Sequence, residues 1–123
     1  MKVMTIEIKS EQGAMNEFKE AFRAAQKGMS FKPKTGVYFT SLEAVRNFLT
    51  KKRLELLHTI KEKKPRSIYE LAKLTHRNFP SVLKDITILS KHGLVKLTKV
   101  MESPRRAVQM KVSYDSINLW IGI

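Results

Sequence analysis

Polar and apolar residues alternate from Lys2 to Ser10, with Met4, Ile6 and Ile8 set against Val3, Glu7 and Lys9, which predicts a strand with one apolar face. Residues 11–27 change period: Met15, Phe18, Phe22 and Ala25 recur at helical spacing and Gly28 follows as a stop. FKPKTG reads as a connector, Val37–Thr40 as a short strand, and Ser41 as the N-cap of a short helix ending at Leu49. That helix is expected to bury Leu42, Val45, Phe48 and Leu49 and to expose Arg46.

A second set of elements begins at Thr50, a natural cap for KKRLELLHTIKEKK with Leu54, Leu57 and Ile60 as the inner stripe, ended by Pro65. Ser67 opens the next helix, and Glu70 three residues on completes a capping box. Its inner positions are Ile68, Leu71 and Ala72, the last small enough for a close helix crossing. The turn THRN leads to Asn78 as the next N-cap, with Pro80 in the first turn, where a missing N–H costs little. Phe79, Val82, Leu83, Ile86 and Leu89 form the stripe of that third helix, and Gly93 closes it. Leu94–Met101 and Ala107–Tyr114 read as a hairpin around ESPRR, with Val108, Met110, Val112 and Tyr114 on one face, and SINLWIGI as an apolar end, a final strand or a short helix, in need of something to pack on.

Two short amphipathic helices joined by a polar turn and followed by an alternating hairpin outline a helix-turn-helix with a β-wing. The expected class is therefore α+β: a winged helix-turn-helix over 50–114, a strand-helix extension over 1–49 suited to dimerisation, and a tail over 115–123 packing on the core or a dimer interface. Apolar residues make up 42% of 123, enough for a modest core and too many for a disordered basic tail. The net charge of +13 is uneven: residues 1–49 hold eight Lys/Arg against five Asp/Glu, and residues 50–123 hold sixteen against six. A strongly basic part beside a nearly neutral one fits a polyanion-binding module joined to something else. There is no cysteine, no long apolar span and no signal-like start, so a soluble cytoplasmic protein is expected.

The run LTKKRLELLHTIKEKKPRSIYELAKLTHRNFPSVLKDITILSKHGLVKL resembles a winged helix-turn-helix DNA-binding domain of the MarR-like kind. More narrowly, it is similar to a group of small, mostly uncharacterised archaeal and bacterial transcriptional regulators. The resemblance is firm over residues 49–97, and it implies the fold and DNA binding but no target.

The early part of such a third helix enters the major groove, so Asn78, Ser81 and Lys84 are the base-reading candidates, with Arg77, Thr87 and Lys91 on the same surface. An Asn at a cap needs no DNA to explain it, whereas Lys84 has no competing structural duty. A carboxylate at Asp85 would be repelled by phosphate, so its expected role is to pair with a basic side chain of the same domain, with cytosine recognition as the alternative. Ser67, Tyr69 and Lys73 are candidates for the DNA backbone, as are Lys51, Lys52 and Arg53, each of which is equally well explained as a solvated charge. Arg105 and Arg106 at the hairpin tip suit the minor groove or flanking phosphates.

His58, His76 and His92 have no metal spacing, and no phosphate-binding glycine loop or acid–base pair is present, so neither cofactor, metal nor enzyme activity is expected. The expected partners are double-stranded DNA and a second copy of the chain, since one winged helix reads few base pairs. An autoregulating repressor is the leading reading. A DNA-binding antitoxin with a toxin partner, and a plasmid-partition or chromatin-like protein with low sequence preference, are the alternatives.

Overall fold

The alternating apolar positions of the N-terminal segment do form one face of a strand. In a computed structural model describing residues 1–28, 36–99 and 108–123, β1 (Val3–Ile8) buries Met4, Ile6 and Ile8. The chain is α+β and divides into two compact units, one comprising Val3–Phe48 with Asp115–Ile123 and the other Leu49–Tyr114.

In the first unit β1 is the middle strand of a three-stranded parallel sheet, between β2 (Gly36–Phe39) and β5 (Ser116–Ile121). The register sets Ile6 beside Val37 and Leu119, and Ile8 beside Phe39 and Ile121, so these side chains share the apolar face. Gly36 lies so close to β1 that a Cβ there would stand 2.6 Å from the Thr5 carbonyl oxygen. The apolar end of the chain is thus a sheet strand, β5.

α1 (Glu11–Gln26) starts at Ser10, whose Oγ accepts from the Gly13 N–H at 3.1 Å. Its spacing is helical as expected, yet it buries no residue, and Phe18 is 66% exposed with Met15 and Phe22 similarly open. A polar contact links α1 to β1, Lys9 Nζ bonding both Glu7 and Glu17. In α2 (Leu42–Phe48), capped by Ser41, Val45 and Phe48 are buried and Phe48 packs 5.2 Å from the Phe39 ring. Leu42, expected inside, is exposed: it opens the helix, three residues before Val45, the first buried position.

The second unit contains α3 (Lys51–Lys63), α4 (Ile68–Leu74), α5 (Phe79–Lys91) and an antiparallel pair, β3 (Lys96–Lys99) with β4 (Val108–Lys111). The caps are those predicted: Thr50 accepts from Arg53 N–H, Ser67 from Glu70 N–H and Asn78 from Ser81 N–H. The Glu70 carboxylate closes its box on the N–H of Arg66, one residue before the cap. Lys64, at φ 46°, ends α3 in the left-handed region, and Gly93, at φ 79°, turns the chain out of α5.

Two inner stripes differ from the expected ones. α3 buries Leu56, Leu57 and Ile60, and leaves Leu54 44% exposed. α5 buries Val82, Asp85, Ile86 and Leu89, and leaves Leu83 40% exposed. In both helices a charged residue, Arg53 or Asp85, takes an inward place that apolarity alone would assign to its neighbour. Leu94 and Val95 are buried just ahead of β3 and complete the core with Leu71 and Met110.

Candidate nucleic-acid interface

α4 and α5 meet at a turn built from local hydrogen bonds. Thr75 Oγ1 donates to the Leu71 carbonyl, Arg77 N–H donates to the Ala72 carbonyl, and His76 between them takes φ 55°. Buried Leu71 and Ala72 face the buried side of α5, and Tyr69 stacks on Phe79 across the turn at 4.2 Å and 13°. With Val82, Ile86 and Leu89 inside, helical geometry turns Leu83, Lys84, Thr87 and Lys91 outward.

Asp85 is the only carboxylate of α5, and it points inward. Its Oδ1 accepts from Arg53 Nε at 3.1 Å and its Oδ2 from Arg77 Nη2 at 2.8 Å. Burial works against the charge, but the guanidiniums of Arg77 and Arg53 outweigh it and hold the carboxyl below its ordinary value of 3.8. Asp85 therefore pairs within its own domain, as its position among basic residues suggested. The same contacts take Arg77 away from the outward face of α5: its side chain is largely buried on Asp85, with Nη1 buried and without a hydrogen-bond partner among the described residues. Arg53 leaves the phosphate candidates for the same reason.

Among the described residues the remaining candidates fall into three groups. Lys84 and Lys91 on α5, Lys73 on α4, and Lys51 and Lys52 on α3 are exposed. Asn78, Ser67 and Thr87 have structural work: the first two cap helices, and the Thr87 hydroxyl donates to the Leu83 carbonyl at 2.7 Å. Ser81 is half-buried at the flank of the outward face, and Tyr69 is exposed beyond its stacking contact. Arg105 and Arg106 lie outside the described residues. Of the histidines, His58 pairs with Glu62, His92 Nδ1 sits 2.9 Å from the Ile88 carbonyl, and His76 occupies the turn.

The register of the hairpin adds cations that single-residue reading passed over. Leu97, itself 38% exposed, stands opposite buried Met110 on one face, while Lys96 stands directly opposite Lys111 and Thr98 opposite Gln109 on the other. Like charges directly opposite across a strand pair repel, so this arrangement costs the free protein stability. Lys111 also lines a cleft of about 890 Å³ with Lys61, Lys64 and Arg66, at the end of α3. Alternation of polar residues along LVKLTKV was the available signal, but the pairing of the two lysines depends on the register.

The HVO_A0114 family model matches residues 48–119, more than half of the chain. The chain belongs to the HVO_A0114 family. The HVO_A0114 match takes in all of α3, α4, α5, β3 and β4 and runs into β5. No curated protein matches the chain. No helix among the described residues is long and apolar enough to cross a membrane.

Proposed function

We infer that the chain is a sequence-specific double-stranded DNA-binding transcriptional regulator built on a winged helix-turn-helix, with α5 entering the major groove and β3–β4 acting as the wing. The observation that carries this reading is the inward turn of Asp85. With the one carboxylate of α5 spent on Arg53 and Arg77, the helix's outer face carries only the positive charges of Lys84 and Lys91. The like-charged pair Lys96 and Lys111 on the hairpin supports the same conclusion, since a polyanion would relieve its repulsion.

In this reading Lys84 reads a base edge, with Ser81 beside it, and exposed Leu83 offers an apolar contact to a thymine methyl. Lys73, Lys91, Lys96 and Lys111 neutralise phosphates, and the Tyr69 hydroxyl donates to one. The reading side chains are few, so each base contact carries a large share of the discrimination. The direction of regulation follows from where the operator lies.

The test is selection of duplexes from a random library by the full chain, followed by titration of selected and random duplexes over a salt series. The expected result is a log–log salt slope of about −3 to −5 and a preference of about 10³ or more for the selected sequence. Lys84→Ala should flatten that preference while leaving the slope nearly intact. A preference of only about tenfold supports instead a DNA-binding protein of low sequence preference, which the small number of base-reading side chains favours as the second reading. Loss of all salt-dependent binding to DNA overturns both.

A further inference from the structure

β5 is an edge strand among the described residues, and its own sequence carries no charge or proline to keep that edge from pairing. Among the described residues it has β1 on one side and no strand on the other. Its sequence, SINLWI, holds no charge and no proline in a chain in which 28% of residues are charged. Natural edges are usually protected by lysines, prolines, bulges or inward charges.

The backbone direction is fixed by one bond beyond the strand. Gly122 N–H donates to the Ile8 carbonyl at 2.9 Å, so Gly122 turns its polar backbone groups toward β1. Because these groups alternate along a strand, Asn118 and Trp120 also bond toward β1, whereas Ile117, Leu119 and Ile121 turn theirs to the open edge. The side chains of those three residues lie on the face shared with Ile6 and Ile8, where Leu119 is 48% exposed and Ile121 similar.

We propose that the chain forms a twofold homodimer in which β5 pairs antiparallel with β5 of a second copy, Leu119 facing its own counterpart and Ile117 facing Ile121. A twofold axis perpendicular to the sheet reverses strand direction and keeps each face on its own side. Only residues of equal parity then face each other, and the outward-bonding set of Ile117, Leu119 and Ile121 satisfies that condition. The sheet becomes six-stranded, and the apolar face of one copy continues into that of the other. The strand is complementary to itself, which points to a second copy as the occupant: under the twofold axis apolar Leu119 meets its own counterpart, apolar Ile117 meets Ile121, and no charge of SINLWI is set against its like, although the chain as a whole carries +13. The proposal does not rest on the DNA-binding reading.

A strand edge is a small interface, so the association should be visible at micromolar concentration. In sedimentation equilibrium of the full chain, the mass should rise from the 14.2 kDa of one copy toward twice that value. Leu119→Lys places two like charges at the axis, and Leu119→Pro removes an outward N–H while leaving the bonds to β1. Both should stay at the mass of one copy with an unchanged circular dichroism spectrum. The chain has no cysteine, and hydrogen-bonded partners across an antiparallel pair stand about 5.5 Å apart, within disulfide reach. Leu119→Cys should therefore cross-link to itself under mild oxidation, much faster than Trp120→Cys. A wild-type chain that stays single at all concentrations, one that assembles beyond two copies, or equal cross-linking at the two positions overturns the proposal.

Discussion

Arg77 Nη2 reaches Asp85 Oδ2 at 2.8 Å, and this contact ties the turn before α5 to the inner face of that helix. Arg53 of α3 completes the cluster from the other side, so three elements converge on one carboxylate. Removing one member leaves the opposite charge poorly solvated, which costs more than the intact cluster contributes. Asp85→Ala should lower the stability of the chain by about 2–4 kcal/mol in urea denaturation. The double variant Asp85→Ala with Arg77→Ala should cost less than the sum of the single changes. A loss below about 0.5 kcal/mol for Asp85→Ala would show that the cluster is not structural.

The same carboxylate makes the fold acid-sensitive. Its folded-state value lies below the ordinary 3.8, so its stabilisation is complete above 3.8 and is lost as the pH falls through that value and on below it. Denaturation free energies at about pH 6 and about pH 3 should therefore differ less in Asp85→Asn than in the wild-type chain. An equal difference in both would place the acid sensitivity elsewhere.

Lys96 and Lys111 give a prediction in which stability and binding move in opposite directions. Lys111→Glu replaces a repelling pair with an attracting one, so the melting temperature should rise by the equivalent of about 0.2–1 kcal/mol. DNA affinity should fall for all sequences alike, with a shallower salt slope. Weakened binding that is confined to one sequence would contradict a phosphate role.

Tyr69 can be split into its ring and its hydroxyl. The ring stacks on Phe79, so Tyr69→Ala should cost about 0.5–1.5 kcal/mol beyond the lost burial. Tyr69→Phe keeps the stack and should leave the melting temperature unchanged while weakening DNA binding severalfold. Unaltered DNA binding in Tyr69→Phe would leave the residue a purely structural role.

At Lys64 the left-handed backbone should favour glycine. Lys64→Gly should stabilise the chain by about 1 kcal/mol, read as a shift in the urea midpoint. No gain would mean that contacts of the lysine stem offset the backbone cost.

Local chemistry made much of the fold legible. Ser41, Thr50, Ser67 and Asn78 cap the helices they were assigned, because a cap is a bond between a side chain and an N–H three residues away. The α1 spacing was equally legible, but no sequence pattern says whether an apolar stripe finds a cover within its own chain, and among the described residues that of α1 finds none.

By itself the sequence determined the order of the helices and strands as far as β4, their caps and breaks, the apolar face of β1, and the concentration of positive charge after residue 50. These follow from periodicity and from contacts within a turn of the chain. The tertiary structure decided the phase of α3 and α5, because Arg53 and Asp85 enter the interior only when the two helices bring them together. It also moved Arg77 from the surface to the cluster and set Lys96 against Lys111. Finally, it placed β5 beside β1 with no strand on its other side among the described residues, and left Leu119 48% exposed. Each of these is a relation between residues on different elements or beyond a helical turn of one another, and each arises from packing that no local pattern encodes.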